Sequence, residues 1–122
     1  MARKRNQFTL IPGAIAAPMP SGISPTLATL SKVVPAGDSW LHEVKYDGYR
    51  ILARIDGGKA TLFSRSDRVW TAKIQEVADA AAKLKVRSAW VDGEVCAMDK
   101  EGRSSSQALQ NAASRCFISG AI

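Results

Sequence analysis

The feature that most constrains the fold of this chain is a pair of short segments, residues 51–55 and 60–65, joined by Asp56-Gly57-Gly58. In the first segment, apolar residues occupy alternate positions, at Ile51, Ala53 and Ile55. This period of two is typical of a strand with one buried face. The Asp-Gly-Gly sequence is typical of a tight turn, because aspartate and glycine tolerate the backbone angles that such turns require. The pattern therefore predicts an antiparallel β-hairpin, with residues 60–65 as the returning strand.

A helix is predicted after the hairpin, over residues 71–84. Apolar residues recur there at spacings of three and four, at Ile74, Val77, Ala78, Ala81 and Leu84. This spacing places them on one face of a helix, which we expect to pack against the sheet. Thr71 is a candidate N-cap, because a threonine hydroxyl accepts a hydrogen bond from a first-turn N–H.

Four further segments complete the predicted architecture. Residues 40–44 are expected to form a short strand that leads into Lys45. Residues 89–98 predict another strand, residues 99–102 a turn and residues 107–113 a short helix. Hairpins mixed with helices predict an α+β fold, in which antiparallel β-sheets carry packed helices on the outside.

The charge balance limits the classes of function. The chain has 122 residues, enough for one domain with a modest core. Seventeen Lys and Arg against eleven Asp and Glu give a net charge of +6 and an isoelectric point near 9.7. This balance suits a protein that binds phosphates, and it is equally found in basic proteins with no particular ligand. No apolar stretch approaches the roughly 20 residues that span a bilayer, so a membrane protein is not expected.

Cysteine and histidine usage argues against a zinc site and against a disulfide scaffold. The sequence has two cysteines, Cys96 and Cys116, no Cys-x-x-Cys pair and a single histidine, His42. This composition fits a reducing cytoplasm.

Lys45 is the candidate nucleophile, in the segment Lys45-Tyr46-Asp47-Gly48-Tyr49-Arg50. An amine attacks phosphorus only when it is neutral, so a lysine nucleophile needs a neighbour that disfavours its proton. Asp47-Gly48 predicts a tight turn that would bring Arg50 near Lys45, and a second cation would also bind the phosphate. A surface turn flanked by two solvated cations is the alternative interpretation.

Two further segments carry candidate binding residues. Glu94 lies in the apolar run Val91-Asp92-Gly93-Glu94-Val95, where a carboxylate is costly unless it is paired or bound to a metal. Arg65 follows the hairpin in a Ser-Arg-Ser sequence, and its fork of donors suits a phosphate. The alternatives are a strand glutamate that faces water and an ordinary polar loop, and Asp92 fits a turn equally well.

These segments resemble a known family. Lys45-Tyr46-Asp47-Gly48-Tyr49-Arg50 is similar to motif I of the covalent nucleotidyltransferases, and residues 91–95 resemble motif III. The longer stretch 42–55 resembles ATP-dependent DNA ligases, most of all the ligase domain of bacterial end-joining ligase D. RNA ligases and capping guanylyltransferases share Lys-x-Asp-Gly and are an alternative, which the longer match disfavours.

The resemblance implies a fold and a chemistry. The fold would be part of a nucleotidyltransferase (ATP-grasp-like) adenylation domain, with no OB-fold domain. Lys45 would take AMP from ATP with Mg²⁺, and the AMP would pass to the 5′-phosphate of nicked or broken double-stranded DNA. The 3′-hydroxyl would then seal the strand. Such a protein would act in DNA repair and recombination, with other end-joining proteins, in the nucleoid-associated bacterial cytoplasm.

The resemblance also implies roles for individual residues. Glu43 would meet the adenine through its backbone or side chain, and a strand glutamate that faces solvent is the alternative. Arg50 would lie near the ribose and phosphate of the nucleotide, and a surface arginine that ends a turn is the alternative. Arg65 would contact the ribose or the DNA 5′-phosphate. Glu94 would meet the ribose hydroxyl or the Mg²⁺ region.

Three parts are predicted along the chain. Residues 1–26 are expected to be a basic, proline-rich linker, and residues 27–114 the N-terminal part of the adenylation domain. Residues 115–122 match nothing that the family would place there, which predicts a truncated or frameshifted product. Since the later family motifs are not found, we expect poor ligation by this chain alone and marginal stability. A catalytically dead remnant that binds DNA or ATP weakly is the alternative.

Overall fold

A β-hairpin is the first regular element in the computed structural model, which describes residues 12–110 and the backbone of residues 111 and 117–119. Strands β1 (Tyr49–Asp56) and β2 (Lys59–Ser64) pair antiparallel, with Asp56 opposite Lys59. Gly57 and Gly58 have φ angles of 56° and 80°, as a two-residue hairpin turn requires at both central positions. The predicted hairpin is confirmed.

The hairpin is extended into a four-stranded antiparallel sheet. Strand β3 (Ser88–Cys96) pairs with the other edge of β1, and strand β4 (Phe117–Ser119) pairs with β3. The strand order is β2-β1-β3-β4. The strand predicted over 89–98 is confirmed as β3.

Helix α1 (Gln75–Ala82) covers one face of the sheet, after a 3₁₀ turn at Thr71–Lys73. Val77 and Ala78 of α1 are buried in one cluster with residues of the strands, including Ile51, Ala53, Leu62 and Val95. The predicted packing of an amphipathic helix on the sheet is therefore confirmed.

Thr71 is not the N-cap of the helix. Its Oγ1 accepts a hydrogen bond from the backbone N–H of Leu62 at 3.0 Å, so the hydroxyl fastens the 3₁₀ turn to β2. Ile74 stands at the N-cap position of α1 and gives no side-chain cap. The hydroxyl thus satisfies a strand donor instead of a helix donor.

The opposite face of the sheet is also covered. Leu52, on that face, is only 4% exposed, so β1 is buried more fully than the predicted one-sided strand. Trp90 Nε1 donates to the carbonyl of Pro20 at 2.9 Å, and Arg50 donates to the carbonyl of Thr26. Residues before the sheet therefore lie against this face, and the boundary at residue 26 stays a prediction.

The strand predicted over 40–44 is wrong. Residues 40–47 form no strand, and Leu41 and Val44 are 98% and 75% exposed. Both edges of β1 are occupied, by β2 and β3, and the segment pairs with no described strand. Without a ladder partner, a short apolar run does not form a strand.

Two smaller predictions are confirmed after β3. Residues 99–102 form a turn, in which the N–H of Gly102 donates to the carbonyl of Asp99 at 3.1 Å. Helix α2 (Ser106–Asn111) corresponds to the short helix predicted over 107–113. Residues 1–11, Cys116 and the rest of the predicted tail, apart from the backbone of β4, lie outside the described residues.

None of the helices in the described ranges combines the length and the apolar character that crossing a bilayer requires.

Leu62→Ala is expected to lower the free energy of unfolding by about 2–5 kcal/mol, because Leu62 is fully buried between the sheet and α1. Urea unfolding followed by circular dichroism measures the change. Leu30→Ala is the matched control, since Leu30 is 94% exposed and its truncation is expected to cost less than about 0.5 kcal/mol. Equal losses in the two variants would contradict the assigned core.

Candidate active site

Lys45 lies in an exposed loop that ends at Gly48, immediately before β1. The backbone of Gly48 lies directly against the C-terminal end of β3. A Cβ on Gly48 would overlap the carbonyl oxygen of Val95 and would come within 2.8 Å of Cys96 Sγ. Glycine is thus required here for close approach of two backbone segments, and the approach fixes where the loop meets the sheet.

Asp47 connects this loop to the segment that follows β3. Its backbone N–H donates to Ser104 Oγ at 2.8 Å, and its Oδ2 accepts from the N–H of Ser106 at 3.4 Å. The tight turn predicted at Asp47-Gly48 is wrong: residues 45–47 are irregular and Gly48 forms only a bend. Asp47 is held instead by residues almost 60 positions away in the chain.

Arg50 projects from β1 toward two carboxylates of β3. Glu94 is its direct cross-strand partner, and Asp92 is its diagonal neighbour. The guanidinium binds Asp92 bidentately, with Nε to Oδ1 at 2.9 Å and Nη2 to Oδ2 at 2.6 Å. Such a fork-to-fork pair fixes the orientation of both side chains.

The electrostatics of Arg50 follow from this pair. The hydrogen bond to Asp92 raises the pKa of Arg50 above its usual range; partial desolvation opposes the shift, and the negative charges of Asp92 and Glu94 add to it. About a third of each side chain of the Arg50–Asp92 pair is exposed, so solvent partly screens the pair. Its effect is to orient the guanidinium.

A cleft of about 830 Å³ opens beside Arg50. Its lining includes four cationic side chains, Arg50, Arg65, Arg68 and Lys73, and the carboxylate of Glu94. An excess of cations around a single carboxylate suits a ligand that carries several negative charges.

One wall of the cleft is aromatic. The rings of Tyr49 and Trp70 meet edge to face, with centroids 5.1 Å apart, and both residues line the cleft. Lys73 Nζ lies 4.8 Å from the centroid of the Trp70 ring. Trp70 also packs against the buried core, so this wall is joined to the body of the fold.

The structure brings three of the five predicted site residues together. Arg50, Arg65 and Glu94 all line the cleft, whereas Glu43 and Lys45 lie in the exposed loop and are not part of its lining. The roles predicted for all five residues, and the predicted approach of Arg50 to Lys45, stay predictions.

Sequence reasoning missed the contributions of Asp92, Arg68 and Lys73. Asp92 fits a turn by composition, yet it lies within β3 and binds Arg50. Its position two residues from Glu94 places both carboxylates on one face of the strand, which is the signal that could have found it. Arg68 and Lys73 lie in separate segments after β2, and nothing in their local sequence marks them.

The residues present fit a nucleotide phosphate better than a preformed metal centre. Among residues 12–111, no three His, Cys, Asp or Glu side chains converge as a metal site would require. Asp92 is committed to Arg50, so Glu94 is the carboxylate of the cleft that could meet a cation. Mg²⁺ commonly binds through one or two carboxylates together with substrate phosphates, and Glu94 fits that arrangement.

Comparison with known proteins agrees with the geometry. Residues 20–116 match the model of the ATP dependent DNA ligase domain. The chain is 43% identical over 95 residues to the multifunctional non-homologous end joining protein LigD of Pseudomonas aeruginosa. This match covers 78% of this chain and 11% of that protein. It is 32% identical over 109 residues to a probable DNA ligase of Beutenbergia cavernae, covering 88% of this chain and 21% of that protein.

Solved structures show the same relationship. The ligase domain of M. tuberculosis LigD superposes with a TM-score of 0.57 at 31% identity, over 65% of this chain and 27% of that domain. A mycobacterial DNA ligase D complexed with ATP and MES superposes with a TM-score of 0.56 at 31% identity, over 64% of this chain and 26% of that one.

The chain thus spans a small share of its relatives, 11% and 21% of the two curated proteins above. Within that share, the predicted α+β nucleotidyltransferase fold and the resemblance to ligase D are confirmed. By sequence, by fold and by the cationic cleft beside its Lys-x-Asp-Gly loop, the chain belongs to the family of ATP-dependent DNA ligase domains.

Proposed function

We propose that this chain carries the adenylate-transfer site of an ATP-dependent DNA ligase, with Lys45 as the nucleophile. The observation that supports it most directly is the arrangement at the start of β1. There the loop of Lys45 is fixed against β3 by Gly48 and is followed at once by Arg50, whose guanidinium faces Glu94 in a cationic cleft.

The proposed reaction begins at the neutral amine of Lys45. Its nitrogen attacks the α-phosphorus of ATP, a P–N bond forms, and the P–O bond to pyrophosphate breaks. The AMP then passes from Lys45 to a 5′-phosphate at a DNA break. Attack by the adjacent 3′-hydroxyl forms the phosphodiester bond and releases AMP. In each step catalysis depends mostly on positioning and on stabilising charge at phosphate oxygens.

The residues of the cleft suit that task. Arg50 and Arg65 would bind the ribose and the phosphates of the nucleotide or of the DNA end. Glu43, which lies outside the cleft in the loop of Lys45, would meet the adenine. Glu94 would contact the ribose hydroxyl or help to hold Mg²⁺, which would neutralise phosphate charge when bound. Double-stranded DNA with a nick or a break is the proposed substrate, in DNA repair and recombination in the bacterial cytoplasm, near the nucleoid and with other end-joining proteins.

A second candidate function is binding without catalysis. Arg65, Arg68 and Lys73 make no salt bridge within the part of the chain that the structure describes. Such a surface attracts DNA or ATP whether or not Lys45 reacts. On this reading the chain is a catalytically inactive remnant that binds these polyanions weakly.

Intact-mass analysis after incubation with ATP and Mg²⁺ tests the proposal. We expect the mass to increase by one adenylate, and we expect peptide mapping to place that adenylate on Lys45. GTP in place of ATP is expected to give no adduct, which separates a DNA ligase from a capping-type guanylyltransferase. A folded chain that forms no adduct, yet binds DNA with an affinity that falls steeply with salt, would contradict the proposal and favour the second candidate.

A further inference from the structure

We propose that Ser104 is a positioning residue, which fixes the loop of Lys45 by binding Asp47; its effect on catalysis rests on the function proposed above. Ser104 Oγ accepts the backbone N–H of Asp47 at 2.8 Å. Asp47 stands two positions after Lys45, so this contact restrains the loop close to the amine. The side chain of Ser104 is half-buried, whereas Asp47 is exposed.

The position of Ser104 is itself tightly determined. The turn before it is closed by Asp99, whose Oδ1 accepts the N–H of Arg103 at 2.8 Å and whose Oδ2 accepts Arg103 Nε at 2.8 Å. Ser104 forms a β-bridge with Met98, and the N–H of the next residue, Ser105, donates to the carbonyl of Ala97 at 3.1 Å. The hydroxyl of Ser104 is therefore held at the end of β3.

A second contact acts on the same loop residue. The carboxylate of Asp47 accepts the N–H of Ser106 at 3.4 Å. Ser105, between these two serines, directs its hydroxyl elsewhere and accepts the N–H of Ala108 at 3.2 Å. The serine segment 104–106 thus binds Asp47 through its first and third members, while the second precedes α2 and caps its first turn.

The other side of the loop is fixed by Gly48, which lies against the carbonyl of Val95. The loop is therefore restrained at two consecutive residues, by Ser104 at Asp47 and by the end of β3 at Gly48. The side chain of Lys45 makes no hydrogen bond or ion pair within the described part of the chain. Its placement consequently depends on the backbone of this loop, and a displacement of about 1 Å at a reacting group can cost roughly a hundredfold in rate.

The experiment compares Ser104→Ala and Ser104→Thr with the unchanged chain. Ser31→Ala is the matched control, because Ser31 is an exposed serine whose hydroxyl, among the residues that the structure describes, bonds to Val33 in its own turn. The first readout is hydrogen exchange of the Asp47 amide by NMR, which requires no activity. Ser104→Ala is expected to accelerate this exchange roughly five- to tenfold without changing the amides of β1, and Ser104→Thr and Ser31→Ala are expected to leave it unchanged.

The second readout is the single-turnover rate of AMP transfer to Lys45. Ser104→Ala is expected to lower the maximal rate roughly ten- to a hundredfold while the ATP concentration for half-maximal rate stays the same, and Ser104→Thr is expected to restore the rate. A merely structural role would instead lower the melting temperature and leave the rate of the folded fraction unchanged.

Either of two results would overturn the proposal: unchanged exchange of the Asp47 amide in Ser104→Ala, or accelerated exchange with an unchanged maximal rate. If the unchanged chain forms no adduct, the proposed function fails, and the exchange readout alone decides whether Ser104 fixes the loop. Should Ser104→Ala not fold, Ser104→Cys keeps the shape with a weaker acceptor and is expected to accelerate the same amide.

Discussion

Lys45→Arg is expected to reduce the AMP adduct below detection while the fold is retained. An arginine guanidinium remains protonated in proteins, so it has no free electron pair with which to attack phosphorus. The substitution keeps the positive charge and nearly the length of the side chain, so weaker attraction of ATP would not explain the loss. Because Lys45 is exposed, the free energy of unfolding is expected to change by less than about 0.5 kcal/mol. Intact-mass analysis and urea unfolding measure the two effects.

Lys59→Arg is the matched control for this prediction. Lys59 is an exposed lysine that begins β2, at the hairpin end of the sheet, and Gly48 lies at the opposite end, next to β3. This variant is expected to form the adduct at the rate of the unchanged chain. An adduct that persists in Lys45→Arg would show that another side chain is the nucleophile, and peptide mapping would identify it.

Gly48→Ala is expected to slow adduct formation at least about a hundredfold and to lower the free energy of unfolding by about 1–3 kcal/mol. The added Cβ would overlap the backbone carbonyl of Val95 and would lie 2.8 Å from Cys96 Sγ. The carbonyl of Val95 belongs to a strand paired on both sides and cannot rotate away as a long side chain can, so the loop must move instead. That movement displaces Lys45, three residues earlier. Single-turnover rates and urea unfolding test the two effects separately.

Gly22→Ala serves as the control for Gly48→Ala. An added Cβ at Gly22 would meet no atom within 4 Å, and the backbone there needs no positive φ. Its stability is expected to be unchanged or slightly higher, since alanine restricts the unfolded chain more than glycine does. Full adduct formation by Gly48→Ala would show that the close approach to β3 does not determine the position of Lys45.

The parts of the fold that sequence predicted well are those whose causes are local. The hairpin depends on Asp56-Gly57-Gly58 and on the alternation beside it, and the two glycines do adopt positive φ. The spacing of Val77 and Ala78 places them on the helix face that meets the sheet. Local turn chemistry and periodicity are properties of neighbouring residues, so they can be read without knowing the rest of the fold.

The predictions that were wrong concern long-range partners. Residues 40–44 have the composition of a strand but no described strand beside them. Thr71 is a suitable N-cap by type, but its hydroxyl accepts the N–H of Leu62 in β2, and α1 begins four residues later, at Gln75. In both cases tertiary contacts decided between two locally acceptable structures.

The residues of the candidate site also fall into two groups, those predicted from local motifs and those that depend on distant partners. Arg50, Arg65 and Glu94 were predicted from their motifs, and the structure places all three around one cleft. The pairing of Asp92 with Arg50 and the contact of Ser104 with Asp47 were not predicted, because each joins residues more than 40 positions apart. Such pairings arise only when β3 lies beside β1, which no local pattern specifies.

The guanidinium of Arg50 has five N–H groups, of which three are already engaged within the protein. Asp92 takes two and the carbonyl of Thr26 takes one, which leaves two for a ligand. A freely rotating arginine loses about 2 kcal/mol of rotamer entropy when a phosphate immobilises it. Folding has already removed that freedom from Arg50, so a phosphate bound there as proposed would meet a preorganised receptor. The same contacts leave free N–H groups on only part of the guanidinium, so they would restrict the directions from which a phosphate can approach Arg50.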